Sequence, residues 1–246
     1  MLACMPKFKP QRQDAAQARR LGHALAAWFA REPGVTVFHA ERTVLESCLP
    51  DVFGYYLLQV GGPAIFSALL GDSRARWCFR VAPDDAAPGD VCGEPERLPI
   101  ATDSIDAVLL PHTLDFSVAP HQVLREVERV LVPEGHLLIL GFNPWSLWGL
   151  WRLARRGRPP WNGRFVAQYR LNDWLSLLGF EIVASHSLLR RAPFALPGFA
   201  RRGDTRLLPG GVYLVHARKR VSRIVPVGLA IRPVERLLGE VTEPIP

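Results

Sequence analysis

PHQVLREVERVLVPEGHLLILGF, residues Pro120 to Phe142, decides the fold. Its first half sets Val123, Leu124, Val127, Val130 and Leu131 at intervals of three and four, the stripe of an amphipathic helix. Pro133-Glu134-Gly135 reads as a turn, and His136 to Phe142 as an apolar run of strand length. Helix, turn and fully buried strand in succession predict a mostly parallel sheet covered by helices.

The same alternation extends outward in both directions. Upstream, Ser104 to Leu110 and Arg76 to Ala82 read as strands, with a loop over Pro83 to Gly93 between them. Tyr55 to Val60 is a short apolar run ahead of Gly61-Gly62, and Pro63 to Leu70 reads as helical. Two helices precede it. Gln13 to Arg31 carries Leu21, Leu25, Trp28 and Phe29 on one face, and a second runs from about Ala40 to Cys48. Downstream, Leu171 to Leu178 is a helix closed by Gly179, and Phe180 to Leu189 and Gly211 to Arg218 are strands. No helix separates these last two, so one strand near the C-terminus runs antiparallel. The expectation is an α/β, Rossmann-like sheet with helices on both faces and extra N-terminal helices. The chain divides into a helical extension over 1–50, the α/β domain over 51–220 and a tail over 221–246.

At 246 residues with mean hydropathy +0.07, the chain has room for one domain with a real core. The net charge of +7 is uneven. Between His136 and Asn172 stand six arginines and no acid, and between Arg190 and Arg223 nine basic residues face Asp204 alone. Such segments suit an anionic partner or, equally, a solvated surface. Cys4, Cys48, Cys78 and Cys92 form no C-x-x-C pair and no metal spacing, which points to reduced thiols, a cytoplasmic setting and no metal. Val52 to Gly71 is uncharged over twenty residues, but Gln59, Gly61, Gly62 and Pro63 at its middle favour strand, turn and helix over a membrane span.

In a sheet of this kind ligands sit beyond the C-terminal ends of the strands, so the loops after Val60, Ala82, Leu110 and Phe142 are the ones to inspect. Two of the stretches are recognisable. Glu94-Pro-Glu-Arg-Leu98-Pro99-Ile100 followed by Asp103-Ser-Ile-Asp106-Ala-Val-Leu-Leu110, and Leu124-Arg125-Glu126-Val-Glu-Arg129-Val130-Leu131-Val-Pro133-Glu-Gly135, resemble the type-11 branch of the class I S-adenosylmethionine-dependent methyltransferases. The phrases PHTLDF, GFNPWSLWGL and DWLSLLGFE resemble an uncharacterised proteobacterial subgroup of it. The resemblance implies a methyltransferase with S-adenosylmethionine as cofactor and a small-molecule substrate, and the basic segments suit an anionic one.

It also implies residue roles. An acid and a Gly-x-Gly-x-Gly turn normally follow the first strand; here Gln59, Gly61 and Gly62 occupy the place, and the motif is degenerate. Asp84 is the nearest candidate for the acid that holds the ribose, and Glu94 falls where an acid contacts adenine. Asp106 would position backbone. Pro111 and His112 follow the fourth strand and would face the methyl group. His112 is the candidate base or substrate ligand, against the plainer reading that it binds a neighbouring loop. Asp115 either orients a histidine or caps the turn, the latter being favoured.

GFNPWSLWGLW, Gly141 to Trp151, follows the fifth strand. Asn143 reads as a helix cap with Pro144 at the first helical position. Trp145 and Trp148 then wall the substrate pocket or belong to the core, the pocket being slightly favoured. Asn143, Arg155 and Arg156 complete the candidate substrate residues, the arginines as grips for phosphate or carboxylate. Two further partners suggest themselves: an anionic membrane surface at 145–158, and nucleic acid, which is not preferred because no aromatics interleave Arg218-Lys219-Arg220. Against the enzyme stands a methyltransferase-like binding or regulatory protein that has lost catalysis, a reading the degenerate glycine turn supports.

Overall fold

The computed structural model describes residues 22–82, 91–154, 161, 163–189 and 209–220. Seven strands form one sheet: β1 Phe53–Val60, β2 Arg74–Ala82, β3 Val91–Cys92, β4 Ile105–Pro111, β5 Leu131–Phe142, β6 Phe180–Leu188 and β7 Val212–Lys219. Their order is β3-β2-β1-β4-β5-β7-β6. β7 is antiparallel to β5 and to β6, and the other pairings are parallel. The expected single antiparallel strand is therefore β7.

Helices cover both faces. On one, α4 (Pro120–Val130) and α6 (Gln168–Leu177) bury Val123, Leu124, Val127, Leu171 and Leu175 against Val108, Leu110, Leu137 and Ile139. On the other lie α1 (22–29), α2 (Gly34–Cys48), a 3-10 helix over Ala64–Asp72 and α5 (Leu147–Ala154), with Phe29, Leu45, Phe66 and Trp148 packed on Leu109, Leu138 and Phe142. Each such side chain contributes about 1.5–3 kcal/mol on leaving water. The described part of the N-terminal extension is thus built into the same core as the sheet.

Short polar contacts explain the motif residues. Glu126 and Arg129 of α4 grip the 98–102 loop: Leu98 N donates to Glu126 Oε2 at 3.0 Å, and Arg129 donates to the carbonyls of Leu98 at 3.1 Å and Ile100 at 2.9 Å. Asp106 accepts the backbone N–H groups of Tyr55 and Tyr56, each at 2.9 Å, so it positions backbone as its place in the motif implies.

Two local readings change. The segment after Val60 forms a 3-10 helix over Ala64–Asp72 rather than an α-helix, with Pro63 ahead of it in an extended conformation. Pro133-Glu134-Gly135 does not end a strand. β5 runs through it as a bulge, the partners of Ile105 and Ala107 being Leu131 and His136, with Glu134 at φ 65°.

Candidate active site

The strand order reverses between β1 and β4, so the crevice at their C-terminal ends is where an open α/β sheet binds ligands. Two glycines end β1 there. Gly61 and Gly62 have φ of +62° and +65°, a region L side chains rarely adopt. A Cβ on Gly62 would stand 2.3 Å from the Pro111 carbonyl oxygen, which fixes the role of Pro111 as the floor beneath the turn. Gln59 is fully buried behind it. Its Nε2 donates to the carbonyls of Gly61 at 3.0 Å and Pro63 at 3.1 Å, and its Oε1 accepts from Ser67 Oγ at 2.9 Å. Gln59 therefore clamps the turn from inside, with all its donors engaged.

A cavity of about 140 Å³ lies above this turn. Leu25 and Ala26 of α1 wall it on one side, and Thr113 and Phe116 on another. Pro95 and Glu96 complete the rim, so the acid placed at the cavity is Glu96 rather than Glu94. Glu96 Oε1 accepts from Ser117 Oγ at 2.5 Å. Glu94 instead pairs with Arg97 in a β-bridge. Small-molecule sites usually span ~300–1,000 Å³, so the space left among the described residues is smaller than a whole cofactor needs.

His112 forms part of the cavity wall and takes the left-handed conformation at φ 57°. Its imidazole has 0% exposure. Nε2 lies 2.8 Å from Glu41 Oε1 of α2, and Nδ1 lies 3.3 Å from Asp115 Oδ2. Phe142 stacks on the ring at a centroid distance of 4.3 Å, with Phe29 at 5.5 Å and Phe66 at 6.3 Å. Burial alone would depress the imidazole pKa, but the Glu41 charge and the hydrogen bonds to Asp115 and Glu41 outweigh it and hold it up at about 9. His112 is thus an imidazolium near neutrality, with both nitrogens engaged. That geometry leaves it no nitrogen with which to abstract a substrate proton.

Asp115 does orient the histidine, contrary to the favoured reading of it as a turn cap. It also accepts Phe142 N at 2.9 Å and Val166 N at 3.3 Å, tying the post-β4 loop to β5 and to the 163–167 segment. Glu41 accepts from His112 alone, and its second oxygen, Oε2, is buried without a hydrogen-bond partner. Burial raises the pKa of both carboxyls.

The aromatic stretch after β5 is placed away from the cavity wall. Asn143 Oδ1 accepts Trp145 N at 3.1 Å, closing a turn, while α5 begins at Leu147. Ser146 is its cap, accepting Gly149 N at 3.1 Å, so the assignment of Asn143 and Pro144 to the helix start is corrected. Trp148 is core, packed under Gly211, where a Cβ would come within 2.4 Å of it. Trp145 is 72% exposed. Of the remaining expectations, Asp84, Arg155 and Arg156 lie outside the described residues.

The comparisons agree with this geometry. A family profile described as "Methyltransferase domain" matches residues 78–139. The chain is 38% identical over 193 residues to the uncharacterized protein YafS of Escherichia coli strain K12, covering 75% of each chain. This chain belongs to the class I S-adenosylmethionine-dependent methyltransferase family, in a branch shared with YafS. The fold is that of an S-adenosylmethionine-dependent methyltransferase of Thermotoga maritima, with a TM-score of 0.54, 17% identity and coverage of 81% of this chain and 100% of that one. It is equally that of a geranyl diphosphate methyltransferase solved in complex with S-adenosylmethionine, with a TM-score of 0.53, 15% identity and coverage of 73% and 84%. No helix among the described residues is long and apolar enough to cross a membrane. No group of three or more His, Cys, Asp or Glu side chains among them is arranged to hold a metal ion.

Proposed function

We propose that this methyltransferase-family chain binds S-adenosylmethionine in the crevice lined by Gly61, Gly62 and Thr113 and transfers its methyl group to a small molecule. The carrying observation is the cavity itself. It lies at the reversal point of the sheet, above a turn that only glycine fits, with Glu96 on its rim.

When bound, S-adenosylmethionine supplies a methyl group on a sulfonium, an electrophile that needs no further activation. The chain's part is to hold and align. Gly61 and Gly62 let backbone come close to a ligand, Glu96 offers a carboxylate to its polar groups, and Leu25 and Ala26 of α1 flank the crevice with apolar surface. The crevice residues would have only to hold an acceptor close to, and in line with, that methyl group. A nucleophile that carries no proton needs no base, which suits a site whose histidine has both nitrogens engaged. We assign His112 a positioning role. The proposed anionic substrate depends on Arg155 and Arg156, and contacts with a membrane or nucleic acid depend on the basic segments around them.

A second reading, binding without turnover, is favoured by the small cavity and by a Gln59 whose donors all serve the turn. Calorimetry with S-adenosylmethionine and S-adenosylhomocysteine tests the shared premise. Both ligands should bind, and Gly61→Val should weaken both at least tenfold. No binding at millimolar ligand would refute either reading. Binding without homocysteine-product formation across amine, hydroxyl and carboxylate acceptors would favour the second.

A further inference from the structure

Strands of a mostly parallel sheet are normally covered on both faces. The N-terminal halves of β1 and β2 depart from this on the side of α4 and α6. Leu58, Val60 and Val81 are buried there in one cluster with Leu98, and Ile100 packs against it. Leu98 and Ile100 belong to the connection from β3 to β4, which contains no helix. Tyr56 pairs in register with Trp77, as Leu58 does with Phe79, so Tyr56 and Trp77 continue the same face toward the start of the strands. The connection does not cover them: Tyr56 is 44% and Trp77 60% exposed.

The edge beside this face is open too. β3 pairs with Val81 and Ala82 alone, so residues 74–80 of β2 have no outer strand neighbour among the described residues. Arg74 and Arg76 stand exposed along that edge. A second copy suits it poorly, because pairing β2 with itself brings two arginine-bearing edges together. The fitting cover is apolar on one side and acidic beside it. Of the segments outside the described residues, 1–21 and 190–208 each carry five basic residues against one acid. The acidic stretch 83–90 joins the C-terminal end of β2 to β3, at the opposite end of the sheet. Residues 233–246 are different. Val234, Leu237, Leu238 and Val241 fall at i, i+3, i+4 and i+7 behind Pro233, the spacing of one apolar helical face, and Glu235, Glu240 and Glu243 stand against Arg236 alone.

The chain can bring that segment to the site. β7 is antiparallel to β5, so it ends at Lys219 at the end of the sheet where β1 and β2 begin. Four strand spacings separate β7 from β2, roughly 19 Å in all. Residues 221–232 reach up to roughly 40 Å when extended. A tether of this length keeps its far end at an effective concentration on the order of millimolar.

We propose that residues 233–246 lay the Val234, Leu237, Leu238 and Val241 stripe on Tyr56 and Trp77, with their glutamates beside Arg74 and Arg76, and so supply the cover that the β3–β4 connection leaves out. The proposal stands apart from the methyltransferase reading.

The test is photo-crosslinking of the full chain with benzoylphenylalanine in place of Trp77, followed by digestion and mass spectrometry. The product should have monomer mass and join position 77 to a peptide from 233–246. Leu237→Asp combined with Leu238→Asp should cut its yield at least about tenfold, because two apolar contacts become charges that resist leaving water. A product at dimer mass, as a second copy on this face would give, overturns the proposal. So does the absence of any link to 233–246, as a face kept for a separate partner would give, and so does a yield that the double substitution leaves unchanged. If the double variant does not fold, the peptide joined to position 77 in the otherwise unaltered chain decides alone.

Discussion

Raising the pH from 6.5 to 9 should destabilise this protein measurably, through His112. Its pKa in the folded state is about 9 against 6.5 in an unfolded chain, because two buried carboxylates hold the proton on it. The native state therefore binds more protons across that interval, and stability is fully present below 6.5 and lost as pH rises through about 9. Between 6.5 and about 9 each pH unit removes at most ~1.4 kcal/mol, so the His112 contribution is capped at about 3 kcal/mol. For a chain of 246 residues that corresponds to a fall in Tm of roughly 6–12 °C. Glu41 and Asp115, both raised by burial, push in the same direction, since the folded state keeps protons the unfolded chain has released. The opposing groups act elsewhere. Burial lowers His136, and lowers His216 to about 4, so their linkage raises stability as pH climbs toward 6.5 and is complete there. Burial keeps Cys48 and Tyr213 protonated, and their linkage begins only near or above 9. Urea unfolding at half-unit pH steps between 6 and 9 measures the slope. His112→Asn is the matching variant, because Asn tolerates the left-handed conformation that His112 adopts at φ 57°. Leaving two buried carboxylates without their cation should cost about 3–5 kcal/mol at pH 7 and flatten the profile above 6.5. A wild-type profile that is level from 6.5 to 9, or an unchanged slope in His112→Asn, would show that the imidazole is not held as a cation.

Gly62→Ala should lose about 3 kcal/mol or more by denaturant titration, since a Cβ at φ +65° is strained and would stand 2.3 Å from the Pro111 carbonyl oxygen. A variant as stable as the wild type would mean the turn is not built as described. Gln59→Glu, which restores the acid usual in the family, should destabilise by about 2 kcal/mol or more at pH 7, because carboxylate oxygens would replace the two donors facing the Gly61 and Pro63 carbonyls. Thermal melts should show part of that loss recovered at pH 5, where a protonated carboxyl regains one donor.

The sheet was legible because its central elements obey local rules. The α4 stripe and the apolar run into Phe142 place a helix and a strand without reference to the rest of the chain. Asp106 and the paired glycines were legible for the same reason, each acting on backbone close by. The triad was not, because its decisive contact spans 71 residues. A local signal did exist. Glu41 is fully buried and sits four residues from both Val37 and Leu45 on the buried stripe of α2, and a lone acid on such a stripe requires a buried partner. Spacing in a loop does not say which of two glutamates faces a cavity, and here Glu96 rather than Glu94 lines it. Trp148 failed as a pocket residue because regular aromatic spacing marks a packed face without saying what packs on it; Gly211 does.

The departures at the first strand and the triad under the fourth belong together. Where the family places an acid, Gln59 donates to the Gly61 and Pro63 carbonyls, and the Gly61 N–H is engaged by Val81 O at 2.9 Å. Thr113, packed against Gly61, gives its hydroxyl to Val60 O at 2.6 Å. These polar groups of the turn are turned inward, which makes the glycine loop a rigid wall with fewer groups free to read a ligand's charge. Glu41, His112 and Asp115 lie beside the wall on a scaffold that α1 and α2 help to build, so the N-terminal helices supply both the cover of the crevice and one of its buried carboxyls. A chain cut back to the α/β domain alone would strip Leu25, Phe29, Val37 and Leu45 from one face of the sheet and lose Glu41, and with it the partner of His112 Nε2.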